Sequence, residues 1–438
     1  MPVRRSTAHS FRLGLGLLRQ VDFRRLWVGE TVSQFGSQVS LLAIPYIATV
    51  LLQATPFEVA LLGALQFLPF LLFTLPAGAW VDRLRRRPIL ISGALVRVVA
   101  LGTIPIAWAL GMLTIWQLYL VSFVAGLATV FFDVAYQSYV PALVKRDELV
   151  EGNAKLQASE ASAGVVGPGL GGALVGLVGA PFAVVADALS YLASAFFVWR
   201  IERPEPHPEE ERRTAGRARE PLRRQVAEGL RFVLGNPYLR AIAGATSSSN
   251  LFSNMIYAIM PVYLYRELGL SAATAGVIFG IGGLGTLAGA LVAGRVSARV
   301  GLGRTVIVFV ALDGPAMLLL AFAPHDAPVA WLVASVALGG FAVVVYNVNQ
   351  VSYRQAICPT EMQGRMNATM RFLVWGTIPI GAVLGGLAAT AVGVHDAIWI
   401  GALGSCLPFL FVLLSPVRSL RTMPEPLAGG ESTAGGAG

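Results

Sequence analysis

A chain of 438 residues that is 55% hydrophobic and only 13% charged, with a mean hydropathy of +0.67, falls outside the soluble globular class. Its formal charge of +9 comes from arginines gathered in short stretches between apolar runs. That pattern belongs to membrane orientation and anionic lipid headgroups, so nucleic acid is not expected as a partner. An all-α, polytopic membrane protein is predicted.

Residues 1–23, with Arg4, Arg5, Arg12 and Arg19 around one short apolar patch, read as a cytoplasmic segment with no signal-peptide cleavage site. Apolar runs of the roughly 20 residues that cross a bilayer then begin near Arg25, Phe57, Ile89, Thr114, Ala154, Pro181, Tyr238, Ala272, Thr305, Pro328, Ala368 and Ala397. That predicts twelve transmembrane helices. The connectors after spans two, four, eight and ten carry Arg83/Arg85/Arg86/Arg87, Lys145/Arg146, Arg295/Arg299/Arg304 and Arg354/Arg365, and only Arg266 breaks the alternation. The positive-inside rule therefore puts both termini in the cytoplasm. Two six-helix bundles, 24–200 and 237–416, are expected on either side of a charged linker, 201–236, with a disordered tail at 417–438. The end of the linker, 222–234, alternates apolar residues and arginines and reads as a helix on the inner membrane surface.

Span one carries Glu30, Gln34 and Gln38 at a spacing of four, a single stripe of one helix face. Asp133, Tyr136 and Gln137 lie on span four, Asn250, Asn254 and Tyr257 on span seven, and Tyr346, Asn347, Asn349 and Gln350 on span ten. Such side chains gain nothing from lipid, so they either line a wet substrate cavity between the bundles or cross-link helices. Phe35, Phe67, Phe70, Phe131, Phe372 and Trp375 would suit an amphipathic ligand there. Among the ionisable groups inside spans, Arg97 needs a carboxylate partner, Asp133 or Asp187, with Arg97–Asp187 the structural ion pair expected. Glu30, Asp133 and Asp313 are the proton-coupling candidates. Span five runs through Gly164, Gly167, Pro168, Gly169, Gly171 and Gly172, so it can bend and admit another backbone, and span eight offers a matching smooth face. These two spans are expected to seal the outer side.

The halves repeat. At an offset of 216, Gln34, Gln38, Pro45 and Gly78 face Asn250, Asn254, Pro261 and Gly294; at 214, Tyr139, Asn153, Gly167, Gly171 and Gly172 face Tyr353, Asn367, Gly381, Gly385 and Gly386. Duplication of this kind marks transporters that rock two halves about a central site. Nothing competes from enzymology: there is no phosphate-cradling loop, and His9, His207, His325 and His395 fall in termini, linker or loops. No catalytic residue, metal or cofactor is expected.

The turn Gly78-x-x-x-Asp82-Arg83-x-x-Arg86-Arg87 resembles the loop signature of the major facilitator superfamily, and Ala163-x-x-x-Gly167-Pro168-x-x-Gly171-Gly172 is similar to its antiporter motif. The run from Phe132 to Pro141 resembles the branch of enterobactin and macrolide exporters. The resemblance implies a major facilitator fold in the plasma membrane and a gate on the cytoplasmic face formed by Asp82 with the neighbouring arginines. It also implies a monomeric, proton-coupled exporter of a small amphipathic molecule such as a drug, siderophore or secondary metabolite; the alternatives are an importer or uniporter of the same fold and, well behind, a membrane-embedded enzyme. Ala163 and Ala298 depart from the motifs, and span four lacks the arginine many proton antiporters carry.

Overall fold

The structure, a computed structural model, describes residues 16–81, 84–145, 148–205, 222–359 and 362–420. Asp82 and Arg83 lie outside the described residues, as do the middle of the linker and residues 421–438 of the predicted tail, whose first residues are ordered, with Val417 buried in a short 3-10 turn. Six long helices come first: α1 (Val21–Tyr46), α2 (Pro56–Val81), α3 (Arg86–Ala109), α4 (Ile115–Leu143), α5 (Leu149–Val178) and α6 (Ala180–Trp199). The linker helix α7 (Leu222–Gly235) leads to α8 (Pro237–Val262), α9 (Ala272–Val300), the pair α10 (Leu302–Ala311) and α11 (Asp313–Ala321), and α12 (Val329–Ile357). The pair α13 (Gln363–Trp375) and α14 (Thr377–Val392) and the pair α15 (Val394–Gly404) and α16 (Phe409–Leu413) complete the second set.

Eleven of the predicted spans are helices long and apolar enough to cross a membrane. The remaining one, α8, has the length, 26 residues, but its run Thr246-Ser247-Ser248-Ser249-Asn250 and Ser253-Asn254 makes it the most polar of the set. A helix of that composition is tolerable in a bilayer only when its polar stripe faces other protein or water.

Local chemistry sets the ends. Thr114 and Ser271 accept from the backbone N–H groups of Gln117 and Thr274, and Asn236 accepts from those of Tyr238 and Leu239, with Pro237 opening the helix. Thr55 and Glu58 exchange bonds at 2.7 and 3.3 Å to cap α2 reciprocally. The repeat is visible in backbone detail. Two residues after Pro45 and after Pro261 the helix widens into five-residue π turns, 47–51 and 263–267, closed by Leu52 N–H to Ile47 O and Leu268 N–H to Tyr263 O, both at 2.9 Å. Two residues beyond each turn stands a left-handed residue, Gln53 at φ 50° and Gly269 at φ 62°.

Within the first set α1 packs on α5 and α6, α3 on α4 and α6, and α2 on α4; within the second α9 packs on α12, α8 on α14 and α15, and α11 on α12 and α15. Between the sets the main contacts are α5 with α9 and α2 with α14. At the end away from the linker, one buried apolar cluster is continuous across both sets, joining Ile47, Leu62, Ile104 and Val184 to Ile259, Tyr263, Leu320 and Ile398. At the linker end there are two separate clusters. One, around Phe23, Leu90 and Tyr139, belongs to the first set, and the other, around Ile242, Val306 and Met366, to the second.

The linker helix packs against the second set. It docks on α13, where Gly229 sits against Thr369 and the Arg365 carbonyl, Val233 is fully buried, and Glu228 pairs with Arg365.

Candidate functional site

The antiporter-like glycines act in two directions at once. Gly167 and Gly171 face α1, where a Cβ on Gly167 would lie 2.5 Å from Gln38 Cγ and one on Gly171 3.1 Å from Val39 Cα. Gly172 and Pro168 face the other set: a Cβ on Gly172 would strike the Ala272 carbonyl, and one on Gly276 would strike that of Pro168. The second half repeats this with Gly381 against Leu251 and Asn254, Gly385 against Met255, and Gly386 against Phe57 and Ala60 of α2. Backbones can approach this closely only where both surfaces lack side chains. Arg266, the residue that broke the charge alternation, spans the sets at the same end: its Nη2 donates to the carbonyl oxygens of Thr49 and Ala54 at 2.7 and 2.9 Å.

The polar stripe of α1 meets a buried charge cluster. Gln34 Nε2 donates to Glu30 Oε1 at 3.1 Å, while Glu30 Oε2 and Gln34 Oε1 are buried without a partner. Arg97 is 4% exposed, and its guanidinium lies between the rings of Phe132 and Tyr191 at 4.5 and 4.1 Å, with Nε donating to Gly93 O. The pair expected with Asp187 is not a direct contact. No carboxylate comes within 4.0 Å of Arg97 among the described residues, while Asp187 lies within its electrostatic reach. Asp187 instead accepts from Ser190 Oγ at 3.3 Å and abuts Gly36 of α1. Glu30 and Asp133 both lie within electrostatic reach of Arg97 and Glu160.

Asp133 is half-buried and also within reach of Arg371, a residue of α13 in the other set. Arg371 covers the Trp375 ring at 4.8 Å and lines a narrow crevice with Phe70, Leu71 and Thr74 of α2. Phe70 and Trp375 meet across the seam at 5.3 Å. Sequence reasoning missed Arg371: it follows Ala368 by three residues, where the eleventh span was read to begin, and so passes for an interface residue. Tyr136 has a buried hydroxyl without a partner, and Gln137 is exposed.

The second half divides the predicted residues. Asn250 donates to Val374 O at 3.1 Å, Asn254 to Asn250 O at 2.8 Å, and Tyr257 is exposed. Asn347 is exposed and accepts from the buried Gln350 at 3.2 Å. Tyr346 and Asn349 are corrected from cavity lining to cross-links: the Tyr346 hydroxyl pairs with Thr246 Oγ1 at 2.6 Å, and Asn349 donates to Val345 O and Ala293 O at 2.8 and 3.4 Å. Both are buried at helix–helix contacts, where a polar group must find a partner. Asp313 is 2% exposed and accepts from Ser249 and Ser253 at 2.7 and 3.2 Å, with Oδ1 left without a partner. His325 and His395, from the loops after spans nine and eleven, have ring centroids 6.3 Å apart at the end away from the linker, beside Trp399.

In the arginine-rich turn Gly78 has open space where a Cβ would point. Glu205 accepts from the first two backbone N–H groups of α3, those of Arg86 at 2.6 Å and Arg87 at 3.1 Å, so the linker's first residues cap that helix. Arg87 also donates to the carbonyls of Val198 and Trp199 on α6.

Two sets of long apolar helices with repeated backbone features meet along a seam, and sequence comparison says which family they form. The profile of transmembrane secretion effectors matches residues 14–427. The chain belongs to this family of the major facilitator superfamily. Among curated relatives of the family, the multidrug efflux pump Tap of Mycolicibacterium fortuitum is 27% identical over 420 residues, covering 89% of this chain and 95% of the pump. Macrolide efflux protein A of Streptococcus pyogenes is 22% identical over 409 residues, covering 92% and 98%. A bacterial homologue of the iron transporter ferroportin, solved in an inward-facing state, has the same fold at a TM-score of 0.71 and 16% identity, covering 91% of this chain and 98% of its own. The chain is thus a multi-pass transporter of the major facilitator type with efflux-pump relatives.

Proposed function

We propose that the chain is a proton-driven exporter of a small amphipathic molecule, a drug, siderophore or secondary metabolite, working by alternating access in the plasma membrane as a monomer. The observation that carries this reading is the uneven joining of the two halves: one apolar core crosses between them at the end away from the linker, and two separate cores face each other at the linker end. The arginines of the linker-end connectors make that end cytoplasmic, which supports an inward-open form with substrate entering from the cytoplasm or inner leaflet. Gln34, Gln38, Asp133, Tyr136, Gln137, Asn250, Asn254, Tyr257, Asn347 and Gln350 contribute polar groups to the path. The names of the efflux-pump relatives favour the outward direction.

Everted vesicles test the reading: an exporter accumulates a fluorescent amphipathic drug and releases lumenal protons as it does so. Accumulation that ignores an imposed proton gradient would sink it. Three carboxyls are proposed to carry the proton, Glu30 and Asp133 beside Arg97 and Asp313 among hydroxyls. Neutralising them one at a time, as Glu30→Gln, Asp133→Asn and Asp313→Asn, should leave drug binding within about threefold and reduce proton-coupled accumulation at least tenfold in one or two of the three. If all three variants keep full coupling, the proton is carried elsewhere. Asp82, with Arg83, Arg86 and Arg87, is proposed as the cytoplasmic latch. Asp82→Asn should slow export several-fold at unchanged membrane insertion, and equal export rates would remove that role.

A further inference from the structure

A groove of about 560 Å³ lies outside the seam, between the linker ends of α3 and α6. We propose that it is a binding site for an anionic phospholipid of the leaflet on the linker side, with the phosphate at the rim and an acyl chain along the α3–α6 face. Its rim carries Arg85, Arg87 and Arg203, and its floor Ile91, Leu95 and Trp199.

The rim is positive because its two carboxylates are already engaged. Glu205 is spent on the first two amides of α3 and on Arg86, whose guanidinium lies 3.8 Å away, and Glu202 pairs with Arg25 at 3.0 Å. Among the described residues none of the three arginines is in an ion pair, and the nearest charge partner, Glu148, is in electrostatic reach of Arg203 alone. Arg87 gives Nε and Nη2 to the carbonyls of Val198 and Trp199, Arg203 gives Nη1 to Leu143 O, and Arg85 is exposed with no hydrogen bond or ion pair among the described residues. Carbonyl oxygens satisfy N–H groups without cancelling charge, so a phosphodiester, which accepts several such bonds, fits what remains.

The occupant is a lipid rather than a free anion because the groove opens onto an apolar strip. Trp199, Phe196, Leu192 and Leu189 are exposed along α6, and Leu95 and Val99 along α3. A tryptophan at the junction of a basic rim and an apolar face occupies the level where aromatic side chains meet headgroups. The inference concerns which lipid borders these helices and is independent of the direction of transport.

The test uses the full chain in lipid nanodiscs, with the Trp199 fluorescence taken as the difference between wild type and Trp199→Phe. Brominated phosphatidylglycerol should quench that signal at a mole fraction several-fold lower than brominated phosphatidylcholine of the same acyl length. Arg85→Gln with Arg203→Gln should remove the preference, while quenching by the phosphatidylcholine, unchanged, reports an intact fold. Equal mole fractions for the two lipids in wild type, or a preference that survives in the double variant, would overturn the site. Millimolar inorganic phosphate that displaces the phosphatidylglycerol would do so too, by showing a free-anion site.

Discussion

Gly172→Val should abolish transport while leaving the two halves folded. The new side chain enters where α5 meets α9, and even its Cβ would strike the carbonyl oxygen of Ala272 and lie 3.1 Å from Ala273 Cα. Overpacking of this kind costs about 1–3 kcal/mol. A helix buried wholly within one half would absorb that cost as a loss of stability. Here the cost falls on the contact between halves, which must form and break in every cycle, so it biases the equilibrium toward the form with this end open. A bias of about 2 kcal/mol shifts the two populations roughly thirty-fold, and export in everted vesicles should fall by at least tenfold. Gly176→Val is the matched control: it sits one turn further along the same helix, and a Cβ there meets nothing within 4 Å. Its transport should stay within about twofold of wild type. Equal rates for both variants would mean that the α5–α9 contact does not limit the cycle.

The second large effect is expected at Arg97. Replacing it with methionine removes the buried cation of α3 that lies within electrostatic reach of Glu30 and Asp133, and the packing of its guanidinium on two rings. Arg97→Lys keeps the charge but loses the planar group that fits between Phe132 and Tyr191 at 4.5 and 4.1 Å. Desolvated cation–π contacts are worth up to about 2 kcal/mol each, so the lysine variant should melt measurably below wild type, and the methionine variant lower still. Thermal unfolding of the detergent-solubilised proteins, followed by size-exclusion chromatography, reads both. A lysine variant as stable as wild type would show that the rings contribute packing alone.

The two replacements probe different links between structure and work. Gly172 has no part in the polar cluster, and Arg97 none in the contact between halves. A transport defect in the first with normal melting, and a melting defect in the second, would separate the moving surface from the fixed charge centre around which substrate and proton are proposed to pass.

The sequence by itself determined the spans and the repeat. Ala272 begins its helix where hydropathy put it, Phe57 lies one residue from the start of α2, and the twelfth span read from Ala397 starts at Val394. Hydropathy succeeds because crossing a bilayer is a local demand met residue by residue along one stretch of chain. The repeat succeeds for a related reason: Gly167 and Gly381, or Gln53 and Gly269, meet the same local geometry twice, so the same residue types or backbone angles recur.

Only the tertiary structure decided which polar residue faces what. A helix that is apolar almost all round has no strong amphipathic signal to fix its rotation, so Tyr346 and Asn349 could be read as cavity residues when Thr246 and the Ala293 carbonyl are their partners. Partners far apart in the chain are equally hidden. The Phe132–Arg97–Tyr191 stack draws on three helices, Arg371 reaches Asp133 across the seam, and Glu205 caps a helix that begins more than a hundred residues earlier. Each depends on how whole helices are set against one another, a property of the assembled bundle that no single stretch of sequence carries.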